Sequence, residues 1–297
     1  MRFIQIDRLP EVYDNIKGEG AFESWLEQAE KHSNAIKGLS KPERAVYWSK
    51  NNYWRELYPA LSKLSGNKCW YSEAPESSSE WEIEHYRPKS KSKNDNKIVI
   101  RDDGYWWLSY HWKNYRLAGS LVNKLRKDRF AEGEEVYGKG DFFPLEDNSP
   151  IAEPEDLYCT CERPLLLDPI KPRDCSLISF DKNGEVYPTY TKEENIMRYR
   201  KGSVSIKHYG LVQTPLKRGR KGVWDKCDNI VSFANNYLRT YFDDEIKREE
   251  TIDECYSKLA ELSSITQPFS MVVKSFIKIK SKEKNHEWLE DAIMVLQ

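Results

Sequence analysis

The sequence lacks the features of membrane, secreted and ATP-binding proteins. None of its 297 residues belong to an apolar run that approaches the roughly 20 residues of a membrane-spanning helix. The first residues form neither the apolar core nor the cleavage site of a secretory leader, so we expect a cytoplasmic protein. No P-loop motif occurs, so any dependence on ATP would have to come from a partner.

An excess of one charge is also absent, and so is a cysteine framework. The net charge is -1, from 47 basic and 48 acidic residues, which argues against histone-like coating of nucleic acid. The six cysteines show no secreted disulfide pattern for a chain of this length, and we expect reduced thiols. Cys159 and Cys161 are separated by one residue and have no matching pair, so we do not expect a zinc site there.

What is present is a set of residues suited to hydrolysis of a phosphodiester. Glu84 and His85 are adjacent at the end of a predicted strand, and Asn114 and Asn123 follow. A histidine can deprotonate water because its pKa lies near working pH. Carboxylate and amide oxygens suit Mg²⁺ or Mn²⁺. We therefore predict His85 as general base, Glu84 and Asn123 as metal ligands, and Asn114 as the residue that orients His85.

This assignment makes one geometric demand. Neighbouring residues of a strand point to opposite faces of the sheet, so a bulge or the strand end must bring Glu84 and His85 to one site.

Basic residues flank the proposed site on both sides. One group follows His85, and a second follows Asn123. The residues that we expect to contact phosphates are Arg87, Lys89, Lys124, Arg126 and Lys127.

Capping, turn and periodicity signals predict the elements around these residues. A capping box at Ser40 and Glu43 begins a long amphipathic helix that Gly66 ends. Residues 114–118 are predicted to form the second strand of a hairpin, and residues 120–130 a helix. Residues 165–168 read as a buried strand, residues 181–184 as a hairpin turn, and the chain from 214 onward as helix, with Phe233 and Tyr237 on an apolar face.

These elements predict an α+β fold with four regions. They are an N-terminal helical region (1–66), a nuclease core (67–145), an accessory strand and hairpin region (146–213), and a C-terminal helical region that could bind a partner (214–297).

Several motifs in one order resemble the HNH endonucleases of the PtuB type, which occur in bacterial Septu anti-phage systems and in some retron systems. The matching segments are residues 69–73, 82–89, 104–108, 112–115, 119–123, 143–145, 164–169 and 209–211. The resemblance implies a ββα-metal (HNH) core within a mainly helical protein and one catalytic Mg²⁺ or Mn²⁺. It also implies a partner ATPase of the PtuA type, related to ABC and SMC proteins, and in retron-associated members a reverse transcriptase with its DNA.

One departure from the family pattern affects a structural zinc site. The four zinc cysteines of the family correspond to Cys69, Ser72, Gly119 and Val122 here. One cysteine cannot hold a tetrahedral zinc ion, so we predict that structural zinc is absent. The loss also leaves open a second hypothesis, a non-catalytic nucleic-acid-binding or scaffold subunit. DNA is the default substrate, and RNA is the alternative.

Overall fold

The structure, a computed structural model, describes residues 1–75, 81–154 and 156–295, with side chains up to residue 292. A serine run at 77–79, which the sequence predicts to be a connecting loop, lies outside the described residues. No helix in the described ranges is long and apolar enough to cross a bilayer.

Helices account for most of the regular structure. Their bounds are α1 (Leu9–Lys17), α2 (Ala21–Ile36), α3 (Lys41–Lys50), α4 (Tyr58–Leu64), α5 (Ser120–Asn123), α6 (Pro172–Cys175), α7 (Ile196–His208), α8 (Thr214–Thr240), α9 (Glu245–Leu262), α10 (Met271–Lys280) and α11 (Glu290–Val295). Short 3₁₀ turns cover Ile6–Arg8, Tyr53–Leu57, Trp106–Leu108, Trp112–Asn114 and Glu287–Leu289.

Strands are short, and in the described ranges they pair as antiparallel hairpins of two. They are β1 (Glu82–His85) with β4 (Tyr115–Ala118), β2 (Ser92–Lys93) with β3 (Val99–Arg101), β5 (Arg126–Lys127) with β6 (Val136–Tyr137), and β7 (Ile178–Phe180) with β8 (Val186–Pro188). The predicted α+β class is therefore confirmed.

The predicted long helix begins at its capping box and ends before Gly66, but it is divided. The capping box forms, with the backbone N–H of Ser40 donating to Glu43 Oε2 at 2.7 Å. Gly66 has a φ of +63°, a value that suits the end of a helix. A single helix over 41–64 is wrong, since α3 ends at Lys50 and α4 begins beside Pro59. Proline fits the first turn of a helix but not its interior, which explains the break.

The hairpin of β1 and β4 and the helix α5 give the predicted strand, strand, helix order. The predicted helix over 120–130 is wrong beyond Asn123. Its last carbonyls are taken by groups from outside the helix. Gln213 Nε2 donates to the Leu121 oxygen at 2.8 Å, Lys139 N to Val122 at 2.7 Å, and Gly140 N to Asn123 at 2.9 Å. The chain then leaves α5 in an extended conformation at Lys124.

The segment 165–168 is buried as predicted, but it is not a strand. Its one backbone bond to a neighbouring extended segment runs from the Leu165 N–H to the Pro144 carbonyl at 2.9 Å, and the groups that follow bond to side chains. Tyr86 donates to the Leu166 oxygen and Tyr209 to the Leu167 oxygen, each at 2.7 Å. Ser205 accepts from the Leu167 N–H at 2.8 Å. These hydrogen bonds therefore hold the segment in place next to the end of β1, which Tyr86 directly follows.

The remaining predictions have mixed outcomes. The turn at 181–184 joins β7 to β8 as predicted. The C-terminal chain is helical, but α8 buries a different face from the one containing Phe233 and Tyr237, which are 54% and 43% exposed. The buried side chains of α8 include Val223, Trp224, Cys227, Val231, Ala234 and Leu238. They lie on the side of α8 that packs against α9 and α10.

Candidate functional site

The end of β1 brings Glu84 and His85 to one place, as the assignment requires. The pairing of β1 with β4 runs without a bulge from Glu82 opposite Ala118 to His85 opposite Tyr115. His85 is the last residue of the strand, and the chain bends directly after it. Glu84, His85 and Asn123 then line the same open surface depression. Both residues therefore reach this depression because β1 ends at His85, and no β-bulge is involved.

The imidazole of His85 has one ring nitrogen fixed by the backbone. Nε2 lies 3.0 Å from the carbonyl oxygen of Ser109, and because a carbonyl only accepts, Nε2 must be the protonated nitrogen. In the neutral ring Nδ1 is then the nitrogen that can accept a proton. Burial, together with the positive charges of Lys89 and Lys139, holds the pKa of His85 well below its usual value of 6.5. The ring is therefore neutral near pH 7, which is the form that a general base requires.

Two aromatic rings hold the imidazole plane in place. Trp54 and Tyr115 each meet the imidazole edge to face, with centroids 5.0 and 5.2 Å away. Trp54 is itself buried. The same indole also fixes the orientation of His85, a contact that periodicity alone does not predict.

Asn114 supports the site through the backbone and makes no hydrogen bond to the imidazole. Its Oδ1 accepts from the N–H of Arg87 at 2.8 Å, and its Nδ2 donates to the carbonyl of Arg87 at 3.0 Å. A longer bond of 3.4 Å reaches the carbonyl of Leu108, the residue before Ser109. Asn114 therefore joins the chain after His85 to the segment that holds His85 Nε2.

Glu84 is buried, and both of its carboxylate oxygens have partners. The Tyr71 hydroxyl donates to Oε2 at 2.8 Å. Burial and the charge of Glu84 raise the pKa of Tyr71 well above 10, so the phenol stays protonated and remains a donor. The ammonium of Lys139 forms an ion pair with Oε1.

Lys139 sits on a loop that is attached to the end of α5. The hydrogen bonds from Lys139 N to Val122 and from Gly140 N to Asn123 join the two. Gly138 has a φ of +117°, and an added Cβ there would lie 2.2 Å from the Lys124 carbonyl oxygen. A glycine is required where two backbones approach this closely. The loop therefore places Lys139 next to Glu84, and its hydrogen bonds also hold the end of α5.

Asn123 is oriented by a second carboxylate. Its Nδ2 donates to Oε2 of Glu82 at 2.6 Å, and Oε1 of Glu82 pairs with Lys124 at 2.5 Å. Glu82 and Glu84 are two residues apart on β1 and share a face of the strand. With Nδ2 held by Glu82, the amide oxygen of Asn123 is the atom available to a cation.

This donor set fits a hard divalent cation. Glu84, Asp141 and Asn123 line the depression, and Asp141 is paired with Lys91 and Lys93. Mg²⁺ retains several waters, so the carboxylate of Glu84 and the amide oxygen of Asn123 would suffice as protein ligands. Each ligand is held by a further residue, Glu84 by Tyr71 and Asn123 by Glu82, which is typical of metal sites. No group of three or more His, Cys, Asp or Glu side chains in the described ranges is arranged to hold a metal ion.

The basic residues predicted to contact phosphates lie in three different settings. Lys89 lines the depression, with its ammonium 5.2 Å from the centre of the Trp54 ring. Lys124 and Lys127 are exposed and paired with Glu82 and Glu134, and Arg126 is half-buried on β5.

Arg87 differs from the other four basic residues because its guanidinium forms an ion pair with a buried carboxylate. Its guanidinium pairs with buried Glu162 at 3.0 Å. It also lies over the rings of Tyr86, Tyr105 and Phe143, which favours a structural role.

The other four histidines do not line the depression. His111 faces an aromatic groove beside Trp106 and Trp112, and burial lowers its pKa to about 4. His32 is half-buried against Tyr110, and His208 pairs with Asp95 at 2.6 Å. His286 bonds to Asn235 near the C-terminus.

The positions of the family's zinc cysteines still meet in space. An added Cβ at Gly119 would lie 3.9 Å from the Cβ of Cys69 and 3.0 Å from the Trp81 ring. Ser72 and Val122, the other two positions, are buried beside them. The indole of Trp81 occupies the space next to Gly119, so apolar packing joins the two halves of this region.

Sequence reasoning missed the residues that support the ligands. Tyr71 and Glu82 lie within the matching segments 69–73 and 82–89 but were given no role, and Lys139 lies outside every segment. Their contacts with Glu84 and Asn123 are seen only in the folded chain. One signal was available. Gly138 and Gly140 flank Lys139, and such glycines indicate a close backbone approach.

The comparisons with known proteins agree with the resemblance seen in the motifs. No family model matches the chain. The chain is similar to the Septu protein PtuB of Bacillus mycoides (strain KBAB4), with 27% identity over 164 residues. The match covers 55% of this chain and 49% of that protein, so the chain spans about half the length of the curated relative it matches. The similarity supports a relationship between this chain and the Septu protein PtuB.

Proposed function

We propose that the chain is an HNH-type endonuclease that hydrolyses nucleic-acid phosphodiester bonds and acts in a Septu-type anti-phage defence system. The observation that supports the chemistry best is the arrangement at the end of β1. Glu84, His85 and Asn123 line one depression, and the Ser109 carbonyl leaves His85 Nδ1 as the proton acceptor. The similarity to the Septu protein PtuB supports the defence role.

His85 performs the proton transfer in this proposal. Nδ1 accepts a proton from a water molecule as the water oxygen forms its bond to phosphorus and the bond to the leaving oxygen breaks. The contacts with Trp54 and Tyr115 keep the imidazole plane fixed, so little reorientation is needed when the water loses its proton. A positioned general base contributes about 10²–10⁴-fold to a rate.

Glu84 and Asn123 are the residues that would hold the divalent ion. A bound Mg²⁺ or Mn²⁺ would supply Lewis-acid stabilisation of the charge that develops on the phosphate and on the leaving oxygen. Tyr71 and Glu82 keep the two ligands in place. Lys89 at the rim of the depression, with Lys124, Arg126 and Lys127 beyond it, would position the phosphate backbone.

The proposed substrate is DNA, with RNA as the alternative, because attack at phosphorus does not require a deoxyribose. On the same resemblance we propose a partner ATPase of the PtuA type and, in a retron setting, a reverse transcriptase with its DNA. The C-terminal helices α8 to α10 are the region proposed to bind such a partner.

A cleavage assay tests this proposal. Purified protein, alone and with the partner ATPase, is incubated with labelled DNA and RNA in EDTA, Mg²⁺ or Mn²⁺. We expect metal-dependent cleavage that Glu84→Gln abolishes, while Glu134→Gln, which changes an exposed carboxylate outside the depression, retains it. Full activity of Glu84→Gln, or cleavage that persists in EDTA, would refute the metal assignment. Absence of cleavage of any substrate would favour the non-catalytic scaffold instead.

A further inference from the structure

Lys139 is a buried cation at the centre of the proposed site. The residue has no exposed surface, and its ammonium pairs with Oε1 of Glu84. Among the described residues, its other polar partner is the carbonyl oxygen of His85 at 3.2 Å. A buried lysine is uncommon unless it is paired, and here the pair is with the carboxylate proposed to bind the metal.

We propose that Lys139 is the resident counter-cation of Glu84 and competes with the divalent metal ion for that carboxylate. This inference rests on the proposed function, because it takes Glu84 to be a metal ligand. An ammonium and a metal ion cannot both occupy the coordination position at Oε1. The metal ion must displace Lys139 to reach it, and Lys139 therefore lowers the affinity of the site for metal.

The backbone hydrogen bonds around Lys139 restrict how its ammonium can move away from Glu84. Its N–H is bonded to Val122, and the next N–H is bonded to Asn123, so the loop is attached to the helix that holds the second proposed ligand. Moving the loop would break those bonds and move Asn123. Displacement therefore has to occur by rotation of the flexible four-carbon side chain of Lys139.

The neighbouring lysines do not compete in this way. Lys91 lines the same depression, but it is 38% exposed and its ammonium lies 3.5 Å from Asp141. Lys89 lies over the rings of Trp48 and Trp54. Among these three lysines, Lys139 alone forms an ion pair with Glu84 in the structure. Lys91 consequently offers a control with the same change of charge at the depression that Glu84 lines.

Mn²⁺ binding without nucleic acid tests the inference independently of cleavage. Isothermal titration calorimetry would compare the wild type with Lys139→Met, Lys91→Met and Glu84→Gln. We expect Lys139→Met to bind Mn²⁺ about tenfold more tightly or better, because removal of a like charge in contact with Glu84 shifts the binding of another cation there by about tenfold or more. Lys91→Met should change it by less than about threefold, because an exposed charge is screened by salt.

The possible results separate the inference from the proposed function. Unchanged or weaker Mn²⁺ binding by Lys139→Met, in a protein whose wild type binds through Glu84, would overturn the role of Lys139 alone. Wild-type affinity in Glu84→Gln would overturn the metal site itself. Binding by Lys139→Met where the wild type binds none would support the competition. If Lys139→Met does not fold, Lys139→Gln makes the same comparison, because its amide can still donate to Glu84 without a charge.

Discussion

Replacement of Asn114 and of Asn123 by Ala should have different effects, because the two side chains make different contacts. Asn114 is 4% exposed and makes two short bonds to the backbone of Arg87, at 2.8 and 3.0 Å. Asn114→Ala leaves both backbone groups without a partner, at about 1–3 kcal/mol each. We therefore expect a loss of about 2–6 kcal/mol in the free energy of unfolding, since the third bond, at 3.4 Å, adds little.

Asn123→Ala serves as the matched comparison. The Asn123 side chain is only half-buried, and its bond in the structure is to Glu82. Its removal should lower the free energy of unfolding by about 1 kcal/mol. The same change removes a proposed metal ligand, so excess Mn²⁺ should restore much of the cleavage by Asn123→Ala. It should restore little of the cleavage by Asn114→Ala, whose defect lies in the support of His85.

Urea unfolding and cleavage across a Mn²⁺ titration measure both effects. The midpoint of unfolding should fall clearly for Asn114→Ala and slightly for Asn123→Ala, with similar slopes. Equal losses of stability, or equal rescue of the two variants by Mn²⁺, would refute the different roles given to these residues.

Three further predictions concern the surroundings of the site. Arg116→Met should lower the free energy of unfolding by about 3–5 kcal/mol, because it leaves Asp168 charged and buried, and adding Asp168→Leu should recover part of the loss in chemical denaturation. The purified protein should contain no stoichiometric zinc, since Cys69 alone remains of the four family cysteines, and about one tightly held zinc per chain by elemental analysis would contradict this. Replacing Lys124 and Lys127 by Ala should weaken nucleic-acid binding and lower the slope of log affinity against log salt by about two, whereas an unchanged slope would remove both from the interface.

Much of the local structure around the candidate site could be predicted because it is set by local sequence patterns. The strand end at His85, the capping box at Ser40 and the turn before β8 are each set by a few neighbouring residues. The length of the helix after Ser120 could not be predicted this way. Its end depends on donors from Gln213 and Lys139, which are distant in the sequence.

The sequence also could not predict which charged side chains form ion pairs with each other. Arg87 belongs to a basic stretch and Lys139 stands alone between two glycines, and the sequence pattern does not tell whether either cation is exposed or buried. Folding pairs Arg87 with Glu162 and Lys139 with Glu84. A basic residue near a catalytic motif therefore becomes a candidate for phosphate binding only when its charge has no buried partner.

The most direct test of the central claim is the cleavage rate of His85→Ala beside that of His111→Ala. Both changes remove a largely buried imidazole, but only His85 lines the depression with Glu84 and Asn123. Circular dichroism would first establish that both variants are folded. We predict that His85→Ala lowers the rate constant of cleavage by about 10²–10⁴-fold, while His111→Ala stays within a few-fold of the wild type. A folded His85→Ala that cleaves at the wild-type rate would contradict the assignment of His85 as the general base.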